Sequence, residues 1–475
     1  MANVDPFLVR LVRGAVPHRT LPVLAAALAI AGCALDAPPD AKQLAETELA
    51  HATPPPAFKA GGSPSAVQAG WLATFNDPRL LPLAEEALRY NADLRVAAAR
   101  VEIASAALKA AGGALYPEVN FAGRSGGKAT GSSGQLSGLL VSASWEIDVW
   151  GRVRYGRAAA DAQFASAQAD RRAAEQAIVA ALAKAWFVAA ESELQRRVVR
   201  EMLGSAETLV SLSGDRLRVG VGNDVDVTQA RINLQSFRDN ALQIEIALSQ
   251  SRRALEVLLG RYPAAEIALP VDLPALPPTA PTGLPSELLE RRPDIVAAER
   301  RFAAAFARVG EARAARLPKI SLTAALSSLT SSTFVLQDSG DVSLGGGATL
   351  LFPIFNGGQL QAQVELRTAE QKQAGAAYAQ TALKAFNEVE SALATEASLA
   401  AREGILREGL RESARALDLE QVRYKIGSRD LRTVAQQQLS AYAANISLLR
   451  VQTEQRVQRV QLYLALGGDF ATPGS

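Results

Sequence analysis

The chain is poor in the side chains that carry most chemistry. Its 475 residues include one cysteine and two histidines. Both histidines, His18 and His51, lie near the N-terminus, so a zinc site, a thiol relay or a histidine-based triad has almost no material. Charge of one sign is also lacking: 50 Lys and Arg face 48 Asp and Glu. No overall field draws the chain to nucleic acid. Beyond the N-terminal leader, no run of 18 uncharged apolar residues is found, and a membrane-spanning helix is not expected. GRSGGK (123–128) has the wrong glycine spacing for a phosphate loop and is followed by Ala129 instead of Ser or Thr. Glu146 and Asp148 share one face of an alternating segment and read as solvated carboxylates rather than an acid–base pair. No nucleophile elbow is present. These absences exclude an enzyme and imply no cofactor.

What is present begins at the N-terminus. Arg10, Arg13 and Arg19 precede an apolar run, LPVLAAALAIA (21–31), of signal-peptide length. Ile30-Ala31-Gly32-Cys33 then looks like a bacterial lipobox, whose cysteine becomes the acylated first residue. By that resemblance, Ala34 after the cysteine favours release to the outer membrane. Residues 1–32 carry three Arg and one Asp, so their removal brings the formal charge of +2 to zero. The proline-rich stretch 33–66 reads as an extended tether.

The rest is a weak tandem duplication. LRYNADLRVAAARVEIASAALKAAGGALYPEVNF (88–121) aligns with LERRPDIVAAERRFAAAFARVGEARAARLPKISL (289–322) at an offset of 201. RVGVGNDVDVTQARI (218–232) aligns with KIGSRDLRTVAQQQL (425–439) at 207, an offset kept by Leu259-Gly260 and Leu466-Gly467. The repeats are placed at 67–268 and 286–470, joined by a proline-rich linker (269–285) read as exposed, with 471–475 as a tail.

Each repeat reads as short helices, two strands and two long helices. In SASWEIDVWGRVRYGRAAA (142–160), apolar and polar residues alternate up to Val149 before an alanine-rich helix begins. Leu139, Val141, Ala143, Trp145 and Ile147 point one way, and Ser142, Ser144, Glu146 and Asp148 the other. Ten residues of such alternation suit a tilted membrane strand. YPEVNFAGR (116–124) is its expected partner; 317–327 and 341–352 form the second pair. Proline-free, alanine-rich segments from 155 to about 217 and from 359 to about 424 predict coiled-coil helices. They return at 223–260 and 430–467 after tight turns. Four strands cannot close a barrel, and open edges are forbidden in lipid, so several copies are expected to share one.

WEIDVWGRVR, LLERRPDIVAAERRFAAAFARVGEARAARLPKISLTAAL (288–326), FPIFNGGQL (352–360) and LYLALGGDF (462–470) resemble the outer-membrane factor (TolC-like) family, in particular its NodT/OprM-type efflux lipoproteins. The resemblance covers about residues 67–470. It implies an α+β membrane protein whose protomer supplies four transmembrane strands and long coiled-coil helices. Three copies then form a 12-stranded barrel with a helical periplasmic tunnel. It further implies a passive exit duct in the outer membrane, docked to a periplasmic adaptor (membrane fusion) protein and an inner-membrane transporter of the resistance-nodulation-division type. Trp150, Gly151, Asn356 and Gly357 then lie at the barrel–tunnel junction. A Tyr–Asp–Arg network closing the periplasmic end maps onto Asp226, Tyr424 and Arg429. Thr433 and Gln436 stand where paired aspartates ring the constriction in the family's best-known member, and Asp430 or Asp224 are the available substitutes. Two other readings are a lipid-anchored coiled-coil adaptor and the duct of a type I protein secretion system.

Overall fold

The computed structural model describes residues 35–67, 69–126, 136–331 and 343–470. The leader, Cys33 and the C-terminal tail lie outside the described residues. Two compact units are formed, each from several stretches of chain: Met1–Asp40, Ile103–Ala165 and Arg300–Gly375 in the first, and Ala41–Glu102, Ser166–Glu299 and Ala376–Ser475 in the second.

The duplication is visible in element lengths. The short α1 (Ala41–Glu48) and α2 (Leu80–Tyr90) precede the first set: α3 (Ala92–Gly113), β1 (Glu118–Gly126), β2 (Leu136–Ile147), α4 (Arg152–Arg218) and α5 (Asp224–Leu258). A four-residue α6 (Leu288–Arg291) opens the second: α7 (Pro293–Ala314), β3 (Lys319–Ser331), β4 (Ser343–Leu351), α8 (Gln359–Lys425) and α9 (Leu431–Ala465). α3 and α7 have 22 residues each, α4 and α8 have 67, and α5 and α9 have 35. A 67-residue helix is about 100 Å long at 1.5 Å per residue.

The first unit contains one antiparallel sheet in the order β1-β2-β3-β4. Its register sorts side chains by polarity. Phe121, Val141, Leu326 and Leu344 align across the four strands, as do Trp145, Leu322 and Ala348. On the opposite face Glu118, Ser144, Thr323 and Gly347 align, as do Glu146, Ser321 and Thr349. Directly opposed residues share a face, so one face is apolar and the other polar. The apolar face is not buried: Phe121 is 69% exposed and Leu344 79%.

The second unit holds the main core. Trp71 stacks on Tyr463 with centroids 5.5 Å apart, and Phe75 and Phe187 pack beside them. Trp186 donates from Nε1 to Asp77 at 2.9 Å, and Arg79 lies over its ring. α4 contains a window apolar enough, by length and composition, to cross a membrane, although charged residues such as Glu175, Lys184 and Glu191 interrupt its apolar stretches and no run of 18 uncharged residues results. Val179, Ala183, Trp186, Phe187 and Ala190 of this helix are buried, which gives the apolar stretch a place in the core.

Two segments expected to be free of the core are anchored to the second unit. The tether region contains α1, whose Leu44 is buried along with Leu49 and Phe58, and the amides of Lys59 and Ala60 donate to Glu390. The linker is likewise held. Just before it, Glu256 accepts from the amides of Ala265, Glu266 and Ile267 at 2.6, 2.7 and 3.1 Å. Arg459 donates to the carbonyls of Pro277 and Pro278 while pairing with Glu396, and Arg456 donates to Pro274. Proline carbonyls have no helix or sheet to satisfy them, so buried arginines do so.

Candidate functional site

Two places carry the sequence-derived candidates: the strand-to-helix junction in the first unit and the helix-turn end of the second. At the junction, Glu146 and Asp148 are not free in solvent, which corrects the reading of them as solvated carboxylates. Glu146 takes a two-point bond from Arg152 at 2.9 and 2.8 Å and pairs with Lys319 at 2.9 Å. Asp148 accepts from the amides of Val153 and Arg154 at 3.0 and 2.9 Å, satisfying donors that the first turn of α4 leaves open. The polar face of β2 thus ends in two carboxylates that orient the next helix.

Trp150 and Gly151 complete the turn. The indole Nε1 of Trp150 donates to the carbonyl of Pro318 at 2.8 Å, tying the end of the first strand pair to the start of the second. Gly151 has φ +77°, and a Cβ there would lie 2.6 Å from the Leu35 side chain. The equivalent turn before α8 has Asn356 accepting from the Gln359 amide at 3.2 Å, then Gly357 and Gly358 at φ +62° and +83°. Backbone of that hand is open to glycine at no steric cost.

At the turn end, the two repeats close alike. Gly220 and Gly427 have φ +80° and +79°. The amides of Val221 and Ser428 both bond back to the carbonyl five residues earlier, at 2.9 Å. Asn223 caps α5 by accepting from the Asp226 amide at 2.8 Å, and Asp430 caps α9 by accepting from the Thr433 amide at 3.0 Å. That bond holds the Asp430 carboxyl below the usual range. Asp224 is exposed in the first turn of α5.

Tyr424 is buried in a cluster with Leu209, Ala230, Leu431 and Val434. Its carbonyl accepts from Arg216 at 3.0 Å, and the guanidinium lies 4.9 Å from its ring centre. Burial, with the Asp226 carboxylate nearby, pushes the phenol up against the pull of Arg216. The phenol oxygen itself is buried without a hydrogen-bond partner. Arg429 reaches Glu420 at 3.7 Å. Asp226 and Tyr424 are therefore neighbours, while Arg429 has a different partner within the protomer. Sequence reasoning missed Arg216, although at the repeat offset it matches Arg423 beside Tyr424.

Deeper in the same helices runs a layer of polar side chains. Asn233 donates to Gln438 at 2.6 Å, and Gln438 donates to Ser205 at 2.9 Å. A cavity of about 120 Å³ adjoins it, lined by Ser205, Leu209, Leu212, Gln421, Tyr424 and Gln438 among others.

A family profile described as "Outer membrane efflux protein" matches residues 83–261 and 284–468. The chain is 33% identical over 424 residues to the toluene efflux pump outer membrane protein TtgC of Pseudomonas putida, covering 86% of each chain. It is 30% identical over 411 residues to the cation efflux system protein CusC of Escherichia coli, covering 84% of this chain and 89% of that one. Its fold is similar to the open state of the MtrE outer membrane channel of Neisseria gonorrhoeae. There the TM-score is 0.76 at 28% identity, over 88% of this chain and 98% of that one.

Proposed function

This chain belongs to the outer membrane efflux protein family, and from that premise we propose that three copies close into one duct. The protein is a non-catalytic, outer-membrane channel component of an efflux system. The proposal adds the assembly: four strands per copy give a 12-stranded barrel, an even number with no free edge. One observation supports it above the others. The sheet aligns apolar side chains on a single exposed face and small or polar ones on the other. A soluble sheet would bury the first face; in a bilayer barrel it meets lipid and the second lines water.

The long helices continue the duct into the periplasm, where an adaptor and an inner-membrane transporter, of the resistance-nodulation-division type in this reading, complete the path. Cys33 supplies the lipid anchor. The turn end forms the gate, with Tyr424 seated by Arg216 and with Asp226, Arg429, Asp430 and Asp224 at the mouth. The relatives' names refer to toluene and to cations, two unlike cargoes, which agrees with a duct whose selectivity is set by its transporter.

Native mass and planar-bilayer conductance test the reading together. A trimeric mass and ion-conducting insertions are expected. A monodisperse monomer with its strand content intact would contradict the closed barrel.

A further inference from the structure

The cavity beside the polar layer is lined by groups of three kinds. Some are polar and already engaged: the Ser205 hydroxyl accepts from Gln438 at 2.9 Å and from Gln421 at 3.5 Å. Thr208 donates its hydroxyl proton to the carbonyl of Gly204 at 2.8 Å. Leu209 and Leu212 add apolar surface. The third kind is two donors without an acceptor. The Tyr424 hydroxyl is buried with no hydrogen-bond partner, in a residue only 1% exposed. Lys425, exposed and next along α8, lines the same cavity, and no carboxylate is among the lining residues.

A buried hydroxyl is costly until something supplies an acceptor. The unpartnered acceptor of the polar layer, Asn233 Oδ1, does not line the cavity. The local charge has the same sense. Arg216 lies 4.9 Å from the Tyr424 ring centre with its own Nε unpartnered, and with Lys425 it outweighs the Asp226 carboxylate near the phenol. Size narrows the class further. An apolar cavity of about 150 Å³ takes benzene, so one of about 120 Å³ takes a molecule of about five heavy atoms.

We propose that this cavity binds a short aliphatic monocarboxylate, with its carboxylate between the Tyr424 hydroxyl and the Lys425 ammonium and its alkyl end against Leu209 and Leu212. One oxygen accepts the phenol's hydrogen bond, the other meets a cation, and the leucines take the carbons out of water. A neutral amide of the same shape carries no charge for Lys425 and brings further donors to a place already rich in them. A longer acid has no room for its chain, and inorganic phosphate gives the leucines nothing to pack on. The bound acid touches α4 through Leu209 and Leu212 and α8 through Tyr424 and Lys425, so it braces the two helices near their turns. Binding needs only the fold of one copy.

Propionate labelled with carbon-13, titrated against the detergent-solubilised full chain and followed by broadening of its NMR signal, tests the site. Propionate should bind saturably. Propionamide should bind about tenfold more weakly or not at all, as expected for the loss of one charge-assisted hydrogen bond. Lys425→Met should weaken propionate by about tenfold or more, and Tyr424→Phe by about three- to tenfold. Thr208→Phe, which carries a ring to an exposed lining position, should abolish binding. Lys372→Met, on α8 outside the cavity, should bind as the wild type does. Variants are compared only at unchanged native mass, which separates lost binding from lost folding. Equal binding of propionate and propionamide, or of wild type and Lys425→Met, would overturn the carboxylate assignment. No saturable binding to the wild type would leave the cavity to water and overturn the site.

Discussion

Asn91 and Arg292 stand 201 positions apart, the repeat offset, and do the same work with different chemistry. Asn91 donates to the carbonyl of Leu258 at 2.9 Å, and Arg292 donates to that of Ala465 at 3.1 Å. Those carbonyls are at matching ends of α5 and α9, just before Gly260 and Gly467. In the second repeat the position has gained charge. Arg292 also pairs with Asp294 at 2.8 Å and Glu388 at 2.6 Å, with its side chain 9% exposed.

The two sites should therefore respond unequally. Arg292→Ala leaves a carbonyl and two partly exposed carboxylates without their donor, and hydrogen bonds to charged groups contribute about 1.5–3 kcal/mol each. Asn91→Ala removes one neutral bond and the cap that accepts from Asp93 and Leu94, about 1–3 kcal/mol together. Denaturant unfolding of the detergent-solubilised protein should rank them in that order. Equal losses would mean that the added charges at Arg292 contribute nothing.

Acid should weaken the second unit. Burial pulls Asp294 and Glu256 upward, but Arg292 and the amides of Ala265, Glu266 and Ile267 more than offset it, so both carboxyls are held below their ordinary values. The unfolded chain then binds protons more readily than the folded one as pH falls. Stability from these groups is whole above about pH 4–5 and is lost as pH drops through the lowered folded values. Melting temperature should be flat from about pH 7 to 5 and fall below about pH 4. Glu256→Gln should reduce that acid slope, and an unchanged slope would remove the Glu256 clamp from the explanation.

Asp148 should behave as a helix cap and not as a pore charge. Asp148→Ala exposes the amides of Val153 and Arg154 and should cost about 0.5–2 kcal/mol. Asp148→Asn keeps an acceptor and should recover much of that loss. If instead both variants changed cation selectivity equally and left stability untouched, the carboxylate would be acting on the lumen.

The architecture was legible because it is periodic. Alternation at Leu139–Ile147 marked β2, and glycines at 220 and 427 marked turns whose positive φ is observed. The repeat offset carried from one half to the other and gave matching helix lengths. Single long-range bonds leave no such trace. Nothing periodic marks Arg456 and Arg459 as donors to the carbonyls of Pro274, Pro277 and Pro278, so the linker read as exposed. The tether was misjudged for a related reason: its few apolar residues, Leu44, Leu49 and Phe58, are buried against a surface that composition cannot reveal. At the turn end the contact between Arg216 and Tyr424 was not legible, since it spans 208 positions.

That pairing makes the last prediction. If Tyr424 is held by its ring and its carbonyl, the hydroxyl is dispensable, because it is buried without a partner. Tyr424→Phe removes an unsatisfied polar atom and should leave stability unchanged or slightly raised. Its closed-state conductance in planar bilayers should match wild type. Arg216→Ala takes away the cation over the ring and the donor to the carbonyl, contributions of about 0.5–2 and 1.5–3 kcal/mol. Two helices would then lose a link near the mouth, and conductance should rise severalfold. Asp226→Ala should have a smaller effect than Arg216→Ala, since the Asn223 cap uses the Asp226 amide and not its carboxylate. A large opening by Tyr424→Phe, with Arg216→Ala silent, would show that the hydroxyl finds its partner in a neighbouring copy and that the gate is built between chains.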